Sequence, residues 1–418
     1  MTKCARLFPS TLPNRFPWRA LAVLSVLAML SLHSVQAQTF TVLHTFTGGQ
    51  DGATPFGGLT LDRAGSLYGT TSAGGYTGNN CTSAGCGTVF KITQRNGGWI
   101  FTPLYSFQGN PDSATPYAGV TVGPNGSLYG TTLFGGTGAG TVYNLQPPPR
   151  ATAHVVDGWS NTVLHTFDLT QQGLYPAYGS LVFDSAGAMY GTTSDGGMGC
   201  DDGGYCGTVF KLTSSSGGWT LSSYLFPGGV DGGNPLSGVV LDAAGNLYGT
   251  TGLSFNPVAY RLAPSQQGWT ETVLHTFDFD DDLRGSVIFD GAGNLFGTSV
   301  TTNKVYELSP FGAQWIYTLL YTFSGTSGPW SGVLDVSGDL YGTTCAGGRF
   351  SQGSVFKLTP SQSGWSETDL YAFTGGSDGS CPIGGLAIDV NGDLFGTTAF
   401  GGGGSCSGRC GTVWKIAP

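Results

Sequence analysis

Four carboxylates fall within five positions, Asp278, Asp280, Asp281 and Asp282, whereas comparable loops carry single acids at Asp51, Asp112, Asp231 and Asp378. Clustered carboxylate oxygens are what calcium requires, and calcium is the one cofactor this chain suggests, although no complete calcium-loop pattern is present. The competing reading is a solvated acidic loop. A second set is aromatic. Phe56, Tyr117, Tyr178 and Trp330 lie beside the Pro or Gly that precedes short β-branched runs, and Phe134, Phe255 and Phe400 lie in loops. Gathered on one face, these rings would offer a flat platform to a sugar or a peptide; otherwise they pack beneath the loops. His44, His165 and His275 could move protons, but equivalent positions hold Tyr105, Tyr321 and Tyr371. A position that accepts His or Tyr is expected to be a packing position with a polar tip. Lys91, Lys211, Lys357 and Lys415 are replaced elsewhere by Asn144, Arg261 and Glu307, so no single charge is required there.

The elements that must position these residues are legible from a repeat. Segments 67–71, 128–132, 189–193, 247–251, 295–299, 340–344 and 394–398 spell variants of Leu-Tyr-Gly-Thr-Thr, with the aromatic residues 61, 61, 58, 48, 45 and 54 positions apart. Spacing of this size suits one small sheet per unit. Each unit holds four strand-like runs, placed in the last unit at 365–373, 385–389, 393–398 and 411–416. Between the second and third runs stands a hairpin signal, as in Asp242-Ala243-Ala244-Gly245-Asn246. Four antiparallel strands repeated seven times predict an all-β, seven-bladed β-propeller. A β-solenoid is the weaker alternative, because its coils would be shorter and more uniform. The first run, 39–46, has no unit of its own, and the last unit lacks an outer strand. The N-terminal strand is therefore expected to complete the last blade and to hide an open sheet edge.

Lys3, Arg6, Arg15 and Arg19 precede an apolar run at 20–32 and then Val35-Gln36-Ala37. This order predicts a signal peptide over 1–37 and a single propeller domain over 38–418, secreted or periplasmic. Loss of the four basic residues takes the net charge from −9 to −13, which argues against nucleic acid. No second apolar span follows, so no membrane association is expected after signal removal, and the product is expected to be a monomer. Charged residues make up only 10% of the chain, as befits blades covered on both faces by neighbours. Eight cysteines remain after signal removal. Cys81 with Cys86, Cys200 with Cys206, and Cys406 with Cys410 occupy the same long loop in three units and are expected to form local disulfides. Cys345 and Cys381 lie in loops of adjacent blades and are expected to bridge them. A metal site is the rival reading, but the spacings vary and no His accompanies them.

The unit Gly268-Trp269-Thr270-Glu271-Thr272-Val273-Leu274-His275-Thr276-Phe277, followed by Gly-Asn-Leu-Tyr-Gly-Thr-Thr and Gly-Thr-Val-Phe-Lys-Leu, resembles the GloVer tandem repeat (choice-of-anchor repeat) family of secreted bacterial proteins. The similarity spans 39–416. It implies an exported, propeller-like array and carries no activity with it. Many members of that family carry a C-terminal sorting anchor; the expectation here is a product without one, and soluble. Two functions fit: a non-enzymatic scaffold binding an extracellular polysaccharide or protein on its loop-rich face, or an exported polysaccharide hydrolase or lyase at the central opening. The enzyme would need a converging acid and base, and none can be chosen from sequence.

Overall fold

The computed structural model describes residues 38–148, 158–168, 173–176, 178–197, 206–252, 256–266, 268–325, 328–404, 406, 408 and 410–418. Among them, seven four-stranded antiparallel sheets form the blades of a propeller, and the only helix is a 3-10 turn at Gly229–Asp231. In the first blade the strands run from the inside outward as Thr60–Leu61, Leu67–Thr71, Thr88–Arg95 and Gly98–Ser106. The last blade has the order Thr39–Thr45, Thr412–Ala417, Leu394–Thr398, Ala387–Ile388, so the N-terminal strand is its outer strand. Closure is also sealed by packing. Phe46, Leu59, Leu67, Phe90, Phe395 and Val413 form one buried cluster across the first and last blades.

The pentapeptide recurs because each of its positions has one job per blade. Its glycine lies under an aromatic side chain of the third strand: Phe90 over Gly69, Tyr143 over Gly130, Phe210 over Gly191, and so on to Trp414 over Gly396. A Cβ at Gly69 would come within 2.5 Å of the Phe90 ring, so no other residue fits. The second Thr pairs with the hydroxyl that opens the third strand, as in Thr71 with Thr88 at 2.8 Å and Thr398 with Thr412 at 2.9 Å. The first Thr reaches across to the next blade, donating from Thr70 to the Ala118 carbonyl, Thr192 to Ser237, Thr298 to Ser331 and Thr397 to Gly57.

The Asp of the turn between the first two strands organises it as expected and also caps the pentapeptide. Asp242 Oδ1 accepts the Ala244 and Asn246 amides, and its Oδ2 accepts the Tyr248 hydroxyl at 3.1 Å. The inner strands are shorter than the sequence suggests. The run expected at 385–389 contributes only Ala387–Ile388. Near the axis neighbouring backbones touch, and a Cβ on Gly58 would stand 3.0 Å from Gly385, leaving no room for longer ladders.

The outer strands meet in a second recurring pattern. The His or Tyr near the end of each outer strand, five or six positions after the strand Trp where there is one, faces a residue of the next outer strand that in most blades lies two positions after its Trp. His44 stacks on Phe101 and His275 on Tyr317, at 3.8 and 4.5 Å between ring centres. Tyr224 donates to Glu271 at 2.5 Å and Tyr321 to Glu367 at 2.8 Å, while Tyr371 stacks on Phe40 at 3.7 Å. Tyr105 shares Asp112 with Asn161. The histidines are thus packing residues, and burial lowers the pKa of both His44 and His275.

Disulfides join Cys81 to Cys86, Cys406 to Cys410, and Cys345 to Cys381, the last linking loops of adjacent blades. Cys206 is disulfide-bonded, and its expected partner Cys200 lies outside the described residues. Residues 1–37, the expected signal peptide, also lie outside them, as does Phe255. Among the described residues no helix is long and apolar enough to cross a membrane.

Candidate functional site

The seven inner strands start around one cavity of about 370 Å³ on the propeller axis, lined by every blade. Counting back four residues from each inner strand's first residue brings Phe56, Tyr117, Tyr178, Leu236, Arg284, Trp330 and Ile383 to equivalent positions, and all of these except Leu236 line the cavity and form a ring at its mouth. Their backbone is fixed from two sides. In four blades the carbonyl just after the ring residue, on Gly57, Ala118, Ser237 or Ser331, accepts the first pentapeptide Thr of the preceding blade. Two residues before the ring position, or three in the third blade, Thr54, Thr115, Tyr175, Asn234 and Cys381 adopt left-handed backbone, each followed by proline. The amides of Thr54, Thr115 and Asn234 donate to the carbonyls of Cys410, Cys86 and Cys206. The cysteine-stapled loops therefore brace the mouth.

On this shared frame the side chains differ. Phe56 stacks on Tyr117 with ring centres 4.8 Å apart, and Tyr117 lies 5.9 Å from Tyr178. Phe400 stands edge-on behind Phe56 at 6.3 Å. Across the mouth the Arg284 guanidinium lies over Trp330 at 5.1 Å and donates through Nε to Asp282 at 2.6 Å. Four of the seven aromatics singled out by sequence thus meet at the mouth, with Phe400 next to them. Phe134 does not join; it packs on Tyr175 at 6.0 Å, within a two-stranded ladder pairing Ser113–Ala114 with Phe134–Gly135. Burial raises the pKa of Tyr117 and Tyr178, so both phenols stay protonated at neutral pH.

The acidic loop does not gather its oxygens on one point. Asp281 is buried against Lys304, 3.3 Å away, and accepts Thr302; Asp282 is buried against Arg284. Asp278 and Asp280 are exposed, with Asp278 3.7 Å from the same lysine. Of the residues offered for calcium, Asp278 and Asp281 lie beside Lys304 and Asp282 beside Arg284, and no group of three His, Cys, Asp or Glu placed to hold a metal occurs among the described residues. Asp278 and Asp280 face solvent, whereas Asp281 and Asp282 are buried.

Sequence reasoning missed Arg284. It is the charged member of the ring, and the signal was available, because Leu283 replaces the proline found before Phe56, Tyr117 and Trp330's equivalents and thereby marks the blade as irregular. It also missed the seam partners Glu271 and Glu367, each two residues after a recurring Trp.

The Gloeobacter/Verrucomicrobia repeat model matches residues 31–202 and 252–418. This chain belongs to that repeat family. The intervening residues still form the outer strands of the third blade and the inner strands of the fourth, so the repeat architecture runs through the unmatched part. No curated protein matches the sequence. Among solved structures, the GloVer propeller is similar in fold to a luciferin-regenerating enzyme (11% identity, 91% of this chain and 95% of that one, TM-score 0.46). It is also similar to a gluconolactonase from Xanthomonas campestris (14%, 89% and 88%, TM-score 0.44). A chain of a nidogen/laminin complex matches over 66% of this chain and 87% of its own length, at 17% identity and TM-score 0.40.

Proposed function

We propose that this protein is an exported, non-enzymatic binding propeller that takes part of an extracellular polysaccharide at the aromatic ring of its central cavity. The observation that carries this reading is the cavity lining. Its described residues are Gly, Ala, Val, Leu, Ile, Ser, Thr, four aromatics and Arg284, with no Asp, Glu, His, Lys or Cys. Hydrolysis needs a converging carboxylate pair, and elimination needs a base whose pKa is brought toward neutrality. Tyr117 and Tyr178 have pKa values moved the opposite way. A second cavity of about 440 Å³ does hold two carboxylates, Glu367 and Asp369, but Glu367 is the seam partner of Tyr321 and repeats the role of Glu271. Disulfides in this number are the chemistry of an oxidising compartment and support export. The test is to pass a panel of polysaccharides over the immobilised protein while measuring both retention and released product. Retention without shortened or unsaturated product is expected, and Trp330→Ala should weaken retention about tenfold or more. Product release would replace this reading with the hydrolase or lyase.

A further inference from the structure

We infer that the ring is built for an uncharged saccharide, with Arg284 as the donor that fixes its orientation. This rests on the polysaccharide-binding reading above and narrows it to a chemical class. The apolar half of such a site is present: Phe56, Tyr117, Tyr178 and Trp330 can present flat faces to the C–H faces of sugar rings. The polar half is scarce, because the inner-strand hydroxyls serve the blades themselves. Thr60 donates to the Val120 carbonyl, Ser286 accepts the Gly238 amide, and Ser331 pairs with Thr343. What remains for a ligand is the guanidinium of Arg284, the phenols of Tyr117 and Tyr178 and the O–H donor of Ser286.

Arg284 is placed as a neutralised donor rather than a free cation. Its Nε is bound 2.6 Å from Asp282, whose carboxylate is buried, and the guanidinium plane is supported by Trp330. The side chain remains 35% exposed. A guanidinium has five N–H donors, so one bond to Asp282 leaves four with which to reach hydroxyl or ring oxygens. A carboxylated sugar would meet a cation whose charge is already balanced, on a chain of net charge −9. A neutral sugar needs only the donors and the ring faces. The cavity, about 370 Å³, is at the small end of ligand sites, which suits a short segment or one end of a chain.

The experiment titrates the full secreted protein with neutral oligosaccharides (gluco-, xylo- and manno-series) and with oligogalacturonates of matched length, at low salt and at about 0.5 M NaCl. Expected is binding by a neutral series whose Kd changes less than about twofold with salt, since no ion pair with the ligand is screened. Arg284→Gln should weaken that binding about tenfold, and Arg284→Lys should not restore it, because the planar fork is lost. Since Arg284→Gln leaves Asp282 buried without its partner, the double variant Asp282→Asn/Arg284→Gln is measured beside it, with melting temperature as the folding control. Tighter, salt-sensitive binding of the uronates would overturn the inference and leave the polysaccharide reading standing. So would unchanged neutral-sugar affinity in a folded double variant. Retention of neither series would overturn both.

Discussion

The blade interior and the cavity mouth are built on the same sevenfold backbone, yet one repeats its side chains and the other does not. Inside the blade, Gly69 and its six equivalents lie under an aromatic ring, and in five blades the following Thr donates to a backbone carbonyl of the next blade. Identical geometry leaves one acceptable residue type. At the mouth the same threonines hold the backbone, but the side chains lining the open cavity are Phe, Tyr, Tyr, Arg, Trp and Ile. Packing constrains the first set and leaves the second free to carry specificity. The seams between outer strands lie between these extremes. They vary from blade to blade, but as pairs: His stacks on an aromatic ring, and Tyr donates to Glu.

The largest test of the conserved frame removes its closure. Deleting residues 39–46 takes away the outer strand of the last blade, the fully buried Phe46 and the Phe40 ring stacked on Tyr371. The expected result is a melting temperature lowered by more than 10 °C, on the order of the loss from several large core truncations, with association through the bared edge. Calorimetry and light scattering report both. A monomer of unchanged stability would mean that the ring does not depend on this strand.

Next in size is Glu271, where the seam pairing meets pH. Burial pushes its carboxyl up to about 7, against the opposing hydrogen bond from Tyr224. A carboxyl raised in the folded state favours folding in its protonated form. Its stabilising state is therefore fully present below about pH 4.5 and is lost as pH rises toward 7, a difference of up to about 3 kcal/mol. Glu271→Gln should raise stability at pH 8 relative to the parent and give little at pH 4.5, as read from denaturant midpoints at both values. An equal effect at both would separate this seam from its ionisation.

Gly69→Ala sharpens the contrast between frame and mouth. Its new Cβ would meet both the Phe90 ring and Leu59, costing about 1–3 kcal/mol, whereas Trp330→Ala at the half-buried mouth should cost less than Gly69→Ala in stability and more in ligand retention. Thermal melts of the two variants, set beside their binding, decide it. Reversed rankings would dissolve the distinction between the two regions.

The smallest effect concerns the aromatic that covers the glycine. Tyr143, Tyr260 and Tyr306 bury hydroxyls that find no hydrogen-bond partner among the described residues, where the equivalent Phe90, Phe210 and Phe356 have none to satisfy. Tyr→Phe at any of the three should be neutral or stabilise by up to about 1 kcal/mol in denaturant melts. A clear loss at all three would show that the polar tip is used.

Local patterns made much of the fold legible. The pentapeptide marks the second strand of every blade because the glycine beneath an aromatic ring cannot be replaced, and the Asp-x-x-Gly-Asn turn announces a hairpin whose Asp accepts two backbone amides. The orphan first strand pointed to closure, since an unpaired edge needs a partner. Cysteines at equivalent loop positions pointed to local staples. The inner strands are shorter than their sequence runs, because the crowding of seven backbones about an axis is a property of the closed ring and of no single unit. Sequence shows the acidic loop only as neighbours along the chain and not the cations across from them: Lys304 lies 23 residues beyond Asp281.

The sequence by itself determined the seven blades, their strand order and the strand that closes the ring, since hydrophobic period, turn chemistry and the glycine requirement are local and recur in every unit. Only the tertiary structure decided which side chains meet at the axis. Residues 56, 117, 178, 284 and 330 are separated by 46 to 106 positions and belong to five blades, and they become neighbours only because each inner strand begins at the same depth around one central cavity. Arg284 becomes a donor with balanced charge for the same reason: the fold buries Asp282 beside it and lays Trp330 of the next blade under its guanidinium.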